Sequence, residues 1–392
     1  MLTKSLIVLC FNGKPRAICD YIVKPGIELT KNNLVIGLLI ASKPITAWRS
    51  FFSKQPPSLY KYKGIYFIRP VYLLPFQRFG VITALNRWLF FRIIYPGLLS
   101  KAEHSYRRQL GTEKYIFFYH PETQPGYSQI IYDFFSKKYI SILDMVDFPL
   151  RATQQDRAWY KRFIESIDHV FVNSQTLFGL FTGIRKNLVL VPPGFSLDEF
   201  SHPVRSNIRL PKDKPVIGFI GGIGSRLDYK LLFGLIQRNP QYYFAFFGPK
   251  QYLDPITGSS YRQQIEKLLH FPNVIHGFVQ DKKILASVVK QFDIGIIPYD
   301  PEAPLNRYCY PMKLFEYFYL GKPVISTPIE ELIRFSDFVK IYRTTEEWEK
   351  GIRLVLSKSW SSSLALVQRR IAIANSWDKK IKKIFETIDE RR

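Results

Sequence analysis

Short apolar runs alternate with longer amphipathic stretches along almost the whole chain of 392 residues. Such runs are typical of buried strands, and the stretches between them have the length and spacing of helices. The predicted strands of the first half are residues 6–10, 34–40, 64–68, 115–119, 140–143 and 170–173. Those of the second half are residues 216–220, 243–247, 274–276, 294–297 and 324–326. Strands separated by helices, such as the helix predicted over 157–167, indicate right-handed crossovers and parallel sheets covered on both faces.

The length of the chain and the repetition of this pattern predict two domains rather than one compact core. The first spans residues 1–195, and a segment at 196–213 with prolines, charges and no periodicity is the predicted linker. The second spans residues 214–372, and residues 373–392 are predicted to form a basic C-terminal helix. In doubly wound domains of this kind, ligands bind at the carboxyl ends of the strands.

The most informative local pattern lies at residues 310–327, where a helix is followed by a strand. Pro311 fits the first helical turn, and Gly321 ends the helix. Lys313 and Glu316 are three positions apart, so both project from one side of the first turns. The helix N-terminus and Lys313 suit a phosphate, whereas a carboxylate one turn further suits paired hydroxyls such as those of a ribose. The pattern therefore predicts a nucleotide site.

The net charge of +24 is unevenly distributed, since residues 1–100 contain 14 Lys or Arg against 2 acidic residues. Residues 51–100 contain no acidic residue, and the stretch 76–95 within them is rich in large apolar and aromatic side chains. A basic, aromatic helix is typical of an anionic membrane interface, but a core helix with its arginines turned to solvent also fits. The wider charge excess favours the membrane surface. The candidate interface residues are Arg78, Arg87, Trp88 and Arg92.

Composition argues against several other classes of protein. An apolar content of 46% is too high for a disordered chain. The three cysteines are too few and too scattered for a disulfide framework or a zinc site, so a reducing, cytoplasmic compartment is expected. No apolar run reaches the roughly 20 residues that cross a bilayer, and the N-terminal run is too short for a signal peptide. The sequence has no Asp-x-Asp pair at a strand end and no His/Cys cluster with ligand spacing, which are the patterns that would indicate a metal site.

The segment 311–324, which contains Pro-Met-Lys-Leu-Phe-Glu-Tyr and Gly-Lys-Pro-Val, resembles the donor-site signature of GT-B glycosyltransferases. Relatives of this group-4-like kind build bacterial surface polysaccharides. Five further segments resemble parts of the family in the family's order, and they are residues 170–174, 191–200, 216–221, 273–277 and 292–299. The resemblance implies an α/β fold of the GT-B type. Two doubly wound, Rossmann-like domains would face each other across a cleft, and the C-terminal helix would cross back to the N-domain near Trp377.

The resemblance also implies roles for residues in the C-terminal half. Lys313 would contact the donor diphosphate and take part in catalysis, and Glu316 would hold the ribose. The alternatives are a solvated helix lysine and a structural salt bridge. The other implied donor-binding residues are Gly221, Gly222, Arg226, Pro311 and Leu314. Enzymes of this fold neutralise the diphosphate with basic side chains and helix N-termini, so no metal and no cofactor is expected.

The chain departs from the family pattern within this donor site. Many relatives place Arg after the first glycine of the turn that opens the second domain, and Lys six residues later, where this chain has Gly222 and Asp228. Arg226 or Lys230 would have to supply the missing positive charge. The first of the family's two glutamates, which normally contacts the donor sugar, is replaced by Tyr308. The donor sugar and the stereochemical outcome are therefore less tightly implied.

The N-terminal half offers three weaker candidates. His120 follows the strand predicted at 115–119, and related enzymes carry a functional histidine at such a position, facing the transferred sugar and the acceptor. A capping or core histidine is the alternative. The turn after the first strand resembles the family's acceptor or phosphate loop through Gly13 and Arg16, although an ordinary surface turn has the same residue types. Asp147 follows another strand and is a third acceptor-side candidate.

These patterns predict a glycosyltransferase at the cytoplasmic face of the plasma membrane. We expect a UDP-sugar donor, with a GDP-sugar as the alternative, and a lipid-linked or polysaccharide acceptor. The resemblance also implies retention of configuration, with the departing phosphate oxygen taking the acceptor proton. Two other classes stay open. A catalytically silent GT-B-like scaffold would account for the incomplete motifs, and a nucleic-acid-binding protein would account for the charge, although no helix-turn-helix, RNP-like or zinc motif is present.

Overall fold

The computed structural model describes residues 5–12, 20–40, 59–68, 80–106, 108–119, 127–145, 154–357 and 360–391. Contacts within the chain divide it into two units. The first consists of Met1–Asn173, Leu177–Val191 and Lys380–Arg392, and the second of Ser174–Thr176 and Pro192–Lys379. The segment predicted as a linker, 196–213, is grouped with the second unit and contains a short helix.

In the first unit, the described strands form an eight-stranded sheet. Its strands are β1 (Leu6–Asn12), β2 (Leu34–Ile40), β3 (Leu59–Tyr62), β4 (Ile65–Ile68), β5 (Lys114–Tyr119), β6 (Ile140–Met145), β7 (His169–Val172) and β8 (Leu188–Leu190). Their order is β3-β4-β2-β1-β5-β6-β7-β8, and the pairing is parallel except between β3 and β4. The central strands are buried on both sides, which explains why they read as continuous apolar runs rather than as alternating ones.

Helices connect these strands. They are α1 (Asp20–Thr30), α2 (Gly80–Leu89), α3 (Tyr95–Ser105), α4 (Tyr127–Phe135), α5 (Gln154–Ser166) and α6 (Gln175–Phe181), with a π-helical turn at Phe90–Ile94 between α2 and α3. Aromatic side chains fasten the π-helical turn to α4, since the rings of Phe91 and Phe134 stack with centroids 4.2 Å apart. Phe91 and Tyr95 are buried there, whereas other large side chains of the same segment are exposed.

The second unit contains a six-stranded, fully parallel sheet among its described residues. Its strands are β9 (Val216–Ile220), β10 (Tyr243–Phe247), β11 (Val274–Gly277), β12 (Ile294–Ile297), β13 (Val324–Ser326) and β14 (Val339–Ile341). Its helices are α7 (Leu197–Ser201), α8 (Tyr229–Arg238), α9 (Arg262–Leu269), α10 (Lys282–Val289), α11 (Pro304–Arg307), α12 (Lys313–Tyr319), α13 (Glu330–Ile333), α14 (Thr345–Ser357) and α15 (Ser362–Ala374).

The strand order of the second sheet locates its natural binding edge. The order is β11-β10-β9-β12-β13-β14, so the chain winds outward from β9 in one direction and from β12 in the other. Doubly wound sheets bind ligands beyond the carboxyl ends of the two strands where this reversal occurs. Gly221 follows β9, and Tyr299 follows β12 after one intervening proline. An antiparallel bridge between Leu227 and Tyr299 holds the two post-strand segments together.

The last helix, α16 (Trp377–Asp389), belongs to the first unit over most of its length. Its apolar face contributes Ile381, Ile384, Phe385 and Ile388 to the core beneath the first sheet. Lys380 and Asp144, both buried, form an ion pair of 2.9 Å at the end of β6. Because a buried lysine without a carboxylate is costly, this pair accounts for a charged position on an otherwise apolar helix face.

The predicted fold class is confirmed, and every predicted strand is present with ends that differ by at most two residues. The pattern missed β3, β8 and β14. Each has at most four residues, and their burial is partial, so none forms the continuous apolar run that marks the central strands. The helix of the 310–327 segment begins at Lys313 rather than at Pro311.

Candidate functional site

Lys313 stands at the start of α12 and is buried, with 8% of its surface exposed. Its ammonium donates a 2.7 Å hydrogen bond to the hydroxyl of Tyr299. It also lies over two aromatic rings, 3.9 Å from the centroid of Phe219 and 4.4 Å from that of Tyr299. These contacts fix the position of the charge, but an aromatic quadrupole and one neutral oxygen compensate it only in part.

Glu316 lies one turn further along α12, and it pairs with Lys282 rather than with Lys313. The Glu316 carboxylate and the Lys282 ammonium are 2.9 Å apart, with 12% and 30% of the respective side chains exposed. The structural salt bridge considered as an alternative is therefore present. A carboxylate has about four lone-pair positions, so an ion pair on one oxygen leaves acceptor capacity for hydroxyl groups. The ribose role of Glu316 stays a prediction.

The electrostatic environment of Lys313 suits an anion. Burial is the main cause that lowers its pKa well below the usual value, and the Arg226 guanidinium lowers it further. Glu316 acts in the opposite direction but does not cancel these effects. An anionic group beside the ammonium would oppose both the desolvation and the repulsion. This corner of the second unit is therefore best suited to bind a group with negative charge.

The turn after β9 passes directly against this ammonium. At Gly221 the φ angle is +126°, which side chains rarely adopt, and an added Cβ would lie 3.0 Å from Lys313 Nζ. The amide of Gly221 donates to the carbonyl of Phe247 at 3.0 Å. The amides of Gly222 and Gly224 donate to no backbone carbonyl in the described part of the chain. A glycine turn with such amides beside a lysine is typical of phosphate-binding loops.

The structure gives a physical reason for one departure from the family pattern. Asp228 is the N-cap of α8, where its carboxylate accepts a 2.9 Å hydrogen bond from the amide three residues further on. Arg226 lies with its guanidinium 6.0 Å from the centroid of Tyr299, whereas Lys230 is exposed in the first turn of α8. Of the two candidate replacements, it is Arg226 that is seen to contact Tyr299, the residue that also receives the hydrogen bond from Lys313.

Leu314 requires a correction. Its side chain is fully buried in the core of the second unit, and its amide donates to the Pro311 carbonyl at 3.1 Å, so neither group is available to a donor. Pro311 is itself buried directly before α12, where its carbonyl closes the first turn. Tyr308, which replaces the family's first glutamate, is partly exposed beside the guanidinium of Arg307.

The acceptor-side and catalytic candidates of the N-terminal half fall outside the described residues, and so does one arginine of the predicted membrane interface. These residues are Gly13, Arg16, Arg78, His120 and Asp147. Their roles stay predictions. Arg87, Trp88 and Arg92 are described, and all three are exposed.

Three residues of the site were not singled out from the sequence. Tyr299 could have been found, because it follows a strand at the same sheet edge as the glycine turn. Lys282 carries no such signal, since 34 positions separate it from Glu316. Gln251 also lies outside every motif, yet an added Cβ at Gly222 would lie 2.4 Å from its Oε1. The Gln251 side chain thus fills the space that a side chain at position 222 would need.

Among the residues that the structure describes, no group of His, Cys, Asp and Glu is arranged to hold a metal ion. No protein-family model matches the chain. A curated relative from Bacillus subtilis (strain 168), TuaH, is named for glycosyl transfer in teichuronic acid biosynthesis and is 29% identical over 176 residues. That match covers 44% of this chain and 42% of TuaH, so the chain matches less than half of the relative's length.

Solved structures extend the similarity to nearly the whole chain. Sucrose-phosphate synthase from Thermosynechococcus elongatus is 16% identical, with a TM-score of 0.67 over 99% of both chains. A glycosyltransferase from Rickettsia africae is 12% identical, with a TM-score of 0.66 over 99% of both. HepE of Anabaena, solved with UDP and glucose, is 14% identical, with a TM-score of 0.62 over 98% of this chain and 99% of its own. These similarities show that the chain has the α/β GT-B fold that its sequence predicts.

Proposed function

We propose that this protein transfers a sugar from a nucleotide-sugar donor to a lipid-linked or polysaccharide acceptor. The observation that carries the proposal is the cluster at the reversal point of the second sheet. There the buried Lys313 ammonium lies against the glycine turn at Gly221, and the Glu316 carboxylate follows one helical turn later. A cation, backbone amides and a nearby carboxylate match the diphosphate and ribose of an activated sugar.

In the proposed reaction, the bond between the anomeric carbon of the donor sugar and the β-phosphate oxygen breaks. A bond from that carbon to the acceptor oxygen forms on the same face, so configuration is retained. The acceptor proton moves to the departing phosphate oxygen, and the products are the glycosylated acceptor and a nucleoside diphosphate. Lys313 and Arg226, rather than a metal ion, would stabilise the charge that develops on the diphosphate.

The comparisons support a uridine nucleotide in the donor. HepE, which shares the fold over nearly the whole chain, was solved with UDP and glucose. TuaH is named as a glycosyltransferase of teichuronic acid biosynthesis. We therefore propose a UDP-sugar as the first donor to test and a GDP-sugar as the second.

Release of nucleoside diphosphate from a panel of UDP-, GDP- and dTDP-sugars tests the proposal. With lipid-linked or polysaccharide acceptors present, we expect one donor class to give turnover in the presence of EDTA. Nucleotide binding without turnover for every pair would favour the catalytically silent scaffold. Salt-sensitive retention on DNA or RNA without nucleotide binding would favour the nucleic-acid-binding alternative.

We also propose that the protein works at an anionic membrane surface through α2 and the π-helical turn. Val81, Leu85 and Trp88 are 81%, 46% and 54% exposed and share one face of α2, because they are four and three positions apart. Arg87 and Arg92 precede and follow Trp88 in the chain and are exposed, and Arg87 lies 4.0 Å from the Asp133 carboxylate of α4. An exposed stripe of apolar and aromatic groups flanked by arginines is typical of interfacial helices. None of the described helices is both long enough and apolar enough to span a bilayer.

Substituting Arg87 and Arg92 together by serine is expected to weaken binding to anionic vesicles by roughly 30-fold, because each basic residue contributes about 1 kcal/mol near such a surface. Vesicle co-sedimentation at low salt measures the effect. The matched control is Lys350→Ser with Arg353→Ser, which removes two exposed charges from α14 in the second unit. Equal binding by both double variants would count against the proposed interface.

A further inference from the structure

Tyr299 occupies a fixed position between the glycine turn and α12. Its backbone forms the bridge to Leu227, and its carbonyl accepts a hydrogen bond from the hydroxyl of Thr327. Its side chain is buried, and the phenol oxygen receives the 2.7 Å hydrogen bond from Lys313. The oxygen therefore has a position that the sheet itself determines, unlike the end of a long exposed side chain.

Two cations approach this single oxygen. Burial raises the pKa of Tyr299 to about 12, while the charge of Arg226 and a hydrogen bond from it act to lower the value. The phenol therefore stays protonated at neutral pH and remains a neutral acceptor for Lys313. The charge of Arg226 acts on Lys313 and the two like charges repel each other, so a shared acceptor stabilises the pair before an anion arrives.

We propose that Tyr299 is a positioning residue, whose phenol oxygen holds Lys313 and Arg226 together at the glycine turn so that both cations meet the donor diphosphate. The inference rests on the proposed function, since it takes a nucleoside diphosphate as the ligand. The inference explains how this chain could bind a diphosphate although it lacks the Arg and Lys that the family pattern places in the glycine turn. Here the second cation comes from Arg226, and a tyrosine after β12 keeps it beside the first.

The titration of Lys313 provides a specific readout of this arrangement. The groups that act on its charge are Tyr299, Arg226, Glu316, Lys282 and Cys309. Arg226 and Lys282 lower the pKa of Lys313, whereas Glu316 and Cys309 raise it. A bound diphosphate would raise the pKa of Lys313. The affinity for the diphosphate is therefore highest below the pKa that Lys313 has in the free protein, and it falls as the pH rises from there toward the pKa that Lys313 has in the complex.

Calorimetric titration with UDP, carried out from about pH 7.5 upward where a terminal phosphate with a pKa near 6 is fully ionised, tests the inference. Tyr299→Phe keeps the ring but removes the oxygen. We expect affinity to fall about 10-fold or more, because a hydrogen bond to a charged group contributes about 1.5–3 kcal/mol. We also expect the loss of affinity with rising pH to begin at lower pH, since the ammonium has lost its acceptor.

The matched control is Tyr310→Phe, which removes another buried phenolic hydroxyl in the second unit, one that faces Arg334 instead. It is expected to leave both the affinity and the pH profile close to those of the unmodified protein. Arg226→Gln is a second test on a partly exposed residue. It should weaken binding but move the loss of affinity to higher pH, because Arg226 lowers the pKa of Lys313.

Unchanged affinity and an unchanged pH profile in Tyr299→Phe would overturn the inference, and so would an equal shift in Tyr310→Phe. If Tyr299→Phe does not fold, an unchanged pH profile in Arg226→Gln still overturns the inference, because Arg226 would then not lie beside Lys313. Absence of UDP binding in the unmodified protein would instead contradict the proposed UDP donor. That outcome can be distinguished from those that overturn the role of Tyr299, because each of those requires that the unmodified protein binds UDP.

Discussion

Replacing Lys313 by methionine is expected to lower kcat/KM for the donor by about 100- to 1000-fold, the usual cost of removing one group that stabilises a developing anion. The same change is expected to leave the melting temperature unchanged or higher. The Lys313 ammonium is buried over Phe219 and Tyr299, and a methionine of similar length can fill that space without a charge to desolvate. Steady-state kinetics and thermal unfolding measure the two effects.

Opposite effects on activity and stability are what separate a ligand-binding lysine from a structural one. Lys322→Met is the matched control, since Lys322 lies just beyond the other end of α12 and donates to the Lys290 carbonyl at 2.7 Å. We expect this control to retain donor turnover. Near-normal kcat/KM in Lys313→Met, or a large fall in its melting temperature, would show that Lys313 holds the fold rather than the donor.

Replacing Glu316 by alanine is expected to weaken nucleotide binding by about 100-fold or more, because two ribose hydroxyls would each lose a bond to a charged acceptor worth about 1.5–3 kcal/mol. Calorimetric titration with UDP measures this loss. The ion pair with Lys282 makes a control essential, since loss of the pair alone could disturb α12. Lys282→Met breaks the same pair but leaves the Glu316 carboxylate in place.

The two variants give different results only if Glu316 contacts the ribose. We expect Lys282→Met to bind UDP within a few-fold of the unmodified protein, while Glu316→Ala binds UDP no better than it binds a 2′,3′-dideoxy analogue. Equal losses in the two variants would assign Glu316 a purely structural role. A preference for the ribose form that persists in Glu316→Ala would place the hydroxyl contacts elsewhere.

Much of the fold was predictable because helices cover both faces of parallel sheets, so central strands appear as continuous apolar runs. The runs at 216–220 and 294–297, for example, coincide with β9 and β12, the two strands that define the binding edge. Strands at the edges of the sheets were harder to predict from the sequence. β3 and β4 form a hairpin in which β3 is half exposed, so its sequence, Leu-Tyr-Lys-Tyr, does not differ from that of a loop.

The candidate site was predictable only where neighbouring residues in sequence are neighbours in space. Lys313 and Glu316 share one helix, so their common side followed from their spacing. Contacts between separate strands and helices, such as those of Tyr299 with Lys313 and of Lys282 with Glu316, depend on strand order and could not be read from local pattern. The assignment of Leu314 failed for a related reason, because a motif does not show which of its residues face the core.

A structure of the protein crystallised with UDP tests the central claim most directly. The account predicts that the diphosphate lies within hydrogen-bond distance of Lys313 Nζ and the turn at Gly221, and that the ribose hydroxyls contact the Glu316 carboxylate. UDP bound at another place, or bound at this edge with both side chains turned away from it, would contradict the account.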